Sequence, residues 1–320
     1  MPTESRANVR ERLRPVIGAA TFVLMLAALL LCSIGLLPMS LMKALLPLPA
    51  MSGACTRALV WIAGVPWVGA NRLIYRLLHG PQRGMVLDVA LDRRKSWLVI
   101  SNHRSWADIL LLVDALWLRA PFPRFFLKRE LIWIPIIGFV CWAMDMPFMR
   151  RHSRAEVAAS KDPAREDLEV THRVCRRYRG IPVTVINFLE GTRFSEAKRR
   201  ARGSSFTHLL RPKCGGLAFA LAAMGDQFDG LVDVTIAYRP TRRSLLWSFL
   251  CGEQTGAAVR LRVRKLPADL IDGDYQGDAE FRGRFQAWVN RLWHDKDAEL
   301  AVLYAAQAPL EQLRSGHSAA

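Results

Sequence analysis

Apolar positions along the chain fall into two regimes. From Pro15 to Met42 no charged side chain occurs, and residues 16–37 are dense in Leu, Ala, Val and Ile. About 20 such residues in a helix match the thickness of a bilayer core. A secretory leader would carry a shorter apolar run, about 7–15 residues, ending in small residues. This run is longer, and Leu36-Leu37-Pro38-Met39 is a poor cleavage sequence. The pattern therefore predicts a retained membrane helix. A second apolar stretch, 44–70, is interrupted by Pro47, Pro49, Arg57 and Pro66. Proline and arginine disfavour a straight lipid-facing span. Residues 15–70 are thus expected to form a transmembrane or re-entrant helical hairpin, behind a basic N-terminus at 1–14.

The second regime begins near residue 85 and alternates short apolar runs with amphipathic ones. Trp97–Ser101, Thr184–Phe188 and Val232–Tyr238 read as buried strands. Val259, Leu261 and Val263 alternate with Arg260, Arg262 and Arg264, as in a half-buried strand with one basic face. Helices are predicted over Ser105–Leu118 and from Asp162-Pro163 towards Tyr178. Phe281, Phe285, Trp288 and Leu292 mark one face of another. Lys198–His208 reads as a mobile loop. The expected architecture is α/β: a mixed, largely parallel sheet flanked by helices. It would occupy 71–308, leaving 309–320 as a disordered tail.

Charge adds a partner. The chain has 320 residues, 45 Lys and Arg against 28 Asp and Glu, and a net charge of +17. With 51% hydrophobic residues and ordinary Gly and Pro counts, disordered and collagen-like classes are excluded. Such a chain suits an anionic membrane face, a phosphorylated small molecule or nucleic acid. Arg6, Arg10, Arg12 and Arg14 precede the first apolar run, and Arg72, Arg76, Arg83, Arg93, Arg94 and Lys95 follow the second. Between the runs stands only Lys43, with Arg57 inside the second. The positive-inside rule then puts both flanks in the cytoplasm. Six cysteines include no C-x-x-C pair, so neither a disulfide framework nor a zinc site is expected.

Three segments carry candidate chemistry. Asn102-His103-Arg104-Ser105-Trp106-Ala107-Asp108 sits where a strand ends and a helix begins, a common place for sites in α/β sheets. If His103 precedes the helix and Asp108 lies within it, the carboxylate can fix the imidazole tautomer while the other nitrogen takes a proton. The spacing alone is equally compatible with a histidine capping the helix. Phe188-Leu189-Glu190-Gly191-Thr192-Arg193 follows another strand. Glycine permits a tight turn there, and arginine offers a planar fork suited to phosphate. A turn with a solvated arginine fits the same residues. Pro147-Phe148-Met149-Arg150-Arg151 follows an apolar stretch and could seat an anionic head group, or be a solvated basic loop.

Taken together and in order, these segments resemble the 1-acylglycerol-3-phosphate O-acyltransferase (lysophosphatidic acid acyltransferase) family. The first is similar to its N-H-x-S-x-x-D block and the second to its apolar–Arg block. Glu190-Gly191-Thr192-Arg193 is similar to F-P-E-G-T-R, with Leu189 in place of the usual proline. Lys128 through Gly138 resembles the connection between the first two blocks, and Leu209–Gly216 resembles a segment after the third. The valine- and proline-rich fourth block is represented only by Leu231–Ala237, with Asp233 and no proline, which bears on acceptor and chain-length preference. The resemblance covers about residues 85–300.

It implies acyl transfer from acyl-CoA or acyl carrier protein to the hydroxyl of 1-acylglycerol-3-phosphate. His103 would be the general base and Asp108 its orienting partner. Arg150, Arg151 and Arg193 would face the phosphate. Glu190, Gly191 and Thr192 would order the acceptor turn, while Lys128 and Lys213 would assist with phosphate or coenzyme A. Backbone amides near Gly191, or at the start of the helix after His103, would serve a tetrahedral oxyanion. No metal or resident cofactor is implied. The implied partners are the lipid and thioester substrates and an anionic membrane surface. The implied location is integral, on the cytoplasmic face of the inner (plasma) membrane. Rival readings are the same chemistry on another lysophospholipid, a catalytically dead scaffold of this fold, and a membrane-tethered nucleic-acid binder. The last lacks any recognition module in the sequence.

Overall fold

The computed structural model describes residues 2–45, 55–87, 89–146, 148, 149 and 178–316, with backbone alone at 2–10, 128, 129, 149 and 308–316. Its centre is a six-stranded sheet in the order β1-β8-β7-β2-β6-β3. The strands are β1 (Met85–Val86), β2 (Trp97–Ser101), β3 (Pro123–Phe125), β6 (Thr184–Phe188), β7 (Gly230–Ala237) and β8 (Ala258–Arg264). β2 pairs in parallel with both β6 and β7, and only β7–β8 is antiparallel. A two-stranded parallel ribbon joins β4 (Leu127–Lys128) to β5 (Phe148–Met149). The mixed, mostly parallel α/β architecture expected from the pattern is the one observed.

The continuous apolar run of β2 follows from its position: all five residues are buried, because both faces are covered. Leu98 and Ile100 belong to one core and Trp97 and Val99 to the other. The first core packs beneath α6 (Gly215–Met224) and α8 (Ala279–Gly316), the second beneath α3 (Ala107–Leu116) and α7 (Leu245–Leu250). On α8, Phe281, Phe285, Trp288 and Leu292 are all buried. Each such side chain contributes about 2 kcal/mol. β8 alternates as expected until Val263, which is 43% exposed where the strand outruns its cover.

Asp233, the odd residue of β7, explains itself here. β7 turns Val232, Val234 and Ile236 to the second core, so Asp233 faces the opposite way. It meets Lys296 Nζ at 2.5 Å and Arg264 Nε at 3.1 Å. Lys296 is fully buried and also donates to the Val234 carbonyl. The position that bore on acceptor preference in the sequence is thus a docking point for α8.

Two details differ from the sequence reading. Part of the expected loop 198–208 is α5 (Glu196–Ala201), capped by Ser195 Oγ and laced by Glu196–Arg199 and Glu196–Arg200 pairs. The backbone amides of Thr207 and His208 are held by Asp297. The backbone of α8 runs on to Gly316, through most of the stretch read as a tail. The helix expected from Asp162-Pro163 lies outside the described residues, apart from the closing turn at Tyr178–Gly180, where Gly180 has φ +78°.

The N-terminal region forms α1 (Pro2–Leu45), then a helical segment 55–79 containing a π-helical turn at Val60–Gly64 and α2 (Val65–His79). The link 46–54 is outside the described residues. Among the described residues one helix, Glu11–Leu45, is long and apolar enough to cross a membrane. It also touches the α/β domain at both ends. Gly18 lies against Cys251, Thr21 bonds His79, and Lys43 pairs with Asp145.

Candidate active site

β2 and β6 run side by side and end together, with Ser101 opposite Phe188. The residues that follow each strand are therefore delivered to one edge of the sheet. Asn102 prolongs the ladder with its side chain: Nδ2 donates to the Ile236 carbonyl, and Oδ1 accepts the Ile236 amide, each at 2.9 Å. The chain then leaves the sheet at His103, four residues before α3 begins.

His103 and Asp108 meet. The imidazole Nδ1 lies 2.8 Å from Asp108 Oδ2. A carboxylate can only accept, so Nδ1 carries the proton and Nε2 is the basic nitrogen. Oδ2 also accepts the amides of Arg104, at 2.6 Å, and Ser105, at 2.9 Å. Oδ1 accepts the Tyr238 hydroxyl at 2.5 Å. Asp108 is fully buried, while the His103 side chain keeps 17% exposure. The ring stacks on Phe188, centroids 4.2 Å apart. Two restraints, one in the ring plane and one on its face, thus fix the histidine.

Glu190 bonds the backbone of His103. It is fully buried, and its two oxygens accept the amides of His103 (2.8 Å) and Leu210 (2.9 Å). Burial pushes its carboxyl up to about 7, against the lowering effect of those two amides. The His103 carbonyl in turn accepts the Phe194 amide. Glu190 therefore ties the turn after β2 to the turn after β6.

Gly191 has φ +65° and closes that turn by donating to Phe188 O, while Lys213 lies against it. A Cβ at Gly191 would meet Lys213 Cδ at 3.1 Å. Arg193 is exposed, with its guanidinium 5.5 Å from the Trp106 ring. Lys198 Nζ holds Thr192 Oγ1 at 3.1 Å and the Arg193 carbonyl at 2.9 Å. One end of the sheet therefore gathers His103, Asp108, Glu190, Gly191, Thr192, Arg193 and Lys213. The backbone of Lys128 is in β4, paired in register with Met149. Arg150 and Arg151 lie outside the described residues.

Of the backbone amides expected to serve an oxyanion, three already have partners within the site. The amides of Arg104 and Ser105 serve Asp108, and that of Gly191 serves Phe188. Tyr238, Phe188 and Asn102 were missed as working residues. Tyr238 has no local sequence signal; what could have found it is the sheet order, since β7 neighbours β2 and both end at this edge. Among the described residues no group of three or more His, Cys, Asp or Glu could hold a metal. The five cysteines described are all free.

The sheet and its edge form an α/β domain of which residues 88–239 match the family model described as Acyltransferase. The chain is 25% identical over 218 residues to 1-acyl-sn-glycerol-3-phosphate acyltransferase delta of Mus musculus, covering 64% of this chain and 52% of that protein. The delta protein of Homo sapiens is 29% identical over 182 residues, covering 53% and 43% respectively. The chain spans about half the length of the curated relatives it matches. The crystal structure of the 1-acyl-sn-glycerophosphate (LPA) acyltransferase PlsC from Thermotoga maritima shares the fold. Its TM-score is 0.50 at 16% identity, covering 90% of this chain and 98% of that one. Over its α/β domain the chain is thus similar to acyltransferases, the 1-acyl-sn-glycerol-3-phosphate acyltransferases among them.

Proposed function

We propose that the protein transfers a fatty acyl group from a thioester to the free hydroxyl of 1-acylglycerol-3-phosphate, giving phosphatidic acid. The observation that carries this reading is the His103–Asp108 pair at 2.8 Å, with Asp108 fully buried and His103 partly exposed. His103 Nε2 takes the hydroxyl proton as the oxygen attacks the thioester carbonyl. When the tetrahedral intermediate collapses, the C–S bond breaks and the imidazolium returns that proton to the departing thiolate. Asp108 stabilises the imidazolium throughout. No covalent acyl-enzyme is needed.

Arg193 and Lys213 provide the positive charge beside this pair and suit a phosphate monoester, for which arginine offers two parallel donors. Arg150, Arg151 and Lys128 are proposed to add to that charge. Glu190, Gly191 and Thr192 shape the turn that presents Arg193. The donor is proposed to be acyl-CoA or acyl carrier protein, and no resident cofactor or metal takes part. The apolar α1 and the net charge of +17 suit an integral enzyme on the cytoplasmic face of an anionic inner membrane, where both lipid substrates reside.

The test is thiol release from oleoyl-CoA in detergent, with and without lysophosphatidic acid. Release should depend on the lysolipid and fall at least about a hundredfold in His103→Ala, the size expected for a positioned base. Release that survives the substitution sinks the assignment.

A further inference from the structure

The sheet has a second end. Beyond the N-terminal ends of β2, β3 and β6 lies a cavity of about 780 Å³. It is a strand length away from His103, about 15 Å. Arg57, Arg93, Arg94, Arg119 and Arg124 line it, and Asp92 is the one acid among its lining residues. Asp92 is already occupied, accepting from the Arg94 amide and facing its guanidinium at 3.4 Å.

Arg124 is the decisive residue. It stands in β3 and is only 6% exposed. Its Nε and Nη1 have no hydrogen-bond partner among the described residues. Its guanidinium lies 5.8 Å from the Tyr178 ring, and the acid whose charge reaches it, Asp145, is paired with Lys43 at 2.7 Å. Arg119 spends Nη2 on the carbonyls of Leu87 and Val89, and its buried Nε is also unpartnered. A buried guanidinium is costly without a counter-charge. The other wall of the cavity is apolar, built by Val60, Trp61, Val65, Leu116 and Phe122. Trp61 is half exposed on the segment whose composition suits lipid.

We propose that this cavity binds an anionic phospholipid, with its phosphate among the arginines and its first acyl carbons against Val60, Trp61 and Phe122. Arginine forks match phosphate oxygens. The apolar wall beside the arginines selects a lipid over free phosphate. The site is separate from the catalytic edge and does not depend on what that edge catalyses.

The test uses the delipidated full chain in dodecyl maltoside, with phosphatidylglycerol as probe because it is neither the proposed acceptor nor its product. Thermal shift and native mass spectrometry should show one phosphatidylglycerol bound and an increase in Tm. Phosphatidylcholine of the same chains, and inorganic phosphate at the same concentration, should do far less. Affinity for phosphatidylglycerol should fall about tenfold in Arg124→Gln. It should fall similarly in the double variant Arg57→Gln/Arg93→Gln, whose exposed positions keep the test usable if Arg124→Gln does not fold. Equal stabilisation by phosphatidylcholine would overturn the proposal. So would a match by inorganic phosphate, which would make the occupant a free anion, or unchanged affinity in the double variant.

Discussion

Asp108 gathers four donors on two oxygens: the His103 ring and two amides on one, and the Tyr238 hydroxyl on the other. The first three come from its own segment and are implied once a strand gives way to a helix between His103 and Asp108. The fourth comes from a residue 130 positions away. That is why the pair was legible in the sequence and its outer partner was not. Tyr238→Phe keeps the ring and removes one donor to a buried carboxylate. Its kcat should fall about tenfold with KM nearly unchanged, since a charge-assisted bond of this kind is worth about 1.5–3 kcal/mol. A loss confined to KM would show that Tyr238 does not act through Asp108. Glu190 supplies a second prediction. Its carboxyl titrates at about 7 when folded against 4.5 when unfolded, so the folded state holds the extra proton between those values. Stability contributed at low pH is therefore lost as pH rises from about 4.5 to about 7, on the order of 3 kcal/mol. Glu190→Gln stays neutral and should lack this slope. Its stability deficit relative to wild type, read from urea midpoints in detergent, should narrow between pH 5 and pH 8. A constant deficit would mean that Glu190 is ionised throughout.

At the scale of elements, the strands were the most legible part. β2 is an apolar run and β7 is buried along its whole length because helices cover both faces of the sheet. What the runs did not reveal was their order. Nothing local says that β7 lies beside β2, so neither Asn102 nor Tyr238 could be assigned a partner from sequence. α5 was hidden for the opposite reason. Its six residues bury no side chain and are held by surface ion pairs and the Ser195 cap, so they carry no apolar period to detect. Asn102 is the joint on which the site depends, because its amide takes the place of one more backbone step between β2 and β7. Asn102→Ala would leave both polar groups of buried Ile236 without those bonds. The expected cost is about 2–4 kcal/mol, with a loss of activity as His103 loses its anchor. A shift in the urea midpoint at unchanged m-value would show it; a midpoint within error of wild type would deny Asn102 this role.

For the whole molecule the question is how the apolar helix and the α/β domain belong together. In the sequence, Lys43 reads as the lone loop charge between two hydrophobic segments, and so as a marker of topology. In the structure it is 8% exposed at the end of α1, 2.7 Å from Asp145, whose side chain is 9% exposed. Thr56 donates to the same carboxylate at 2.5 Å. One buried carboxylate thus joins α1, the helical segment 55–79 and the turn after α4 (Ile137–Ala143). With Gly18 packed on Cys251 at the other end, α1 is part of the fold and not a detachable tether. A pairing 102 residues apart, inside what composition marks as membrane, has no local signature. Its energetics are asymmetric. Removing one partner strands a buried charge and costs about 3–5 kcal/mol, whereas removing both can be nearly neutral. Lys43→Met should therefore lower the thermal midpoint in detergent sharply, Asp145→Asn likewise, and the double variant should recover much of the loss. If α1 were only an anchor, Lys43→Met would leave the domain's midpoint where it was, and the double variant would have nothing to restore.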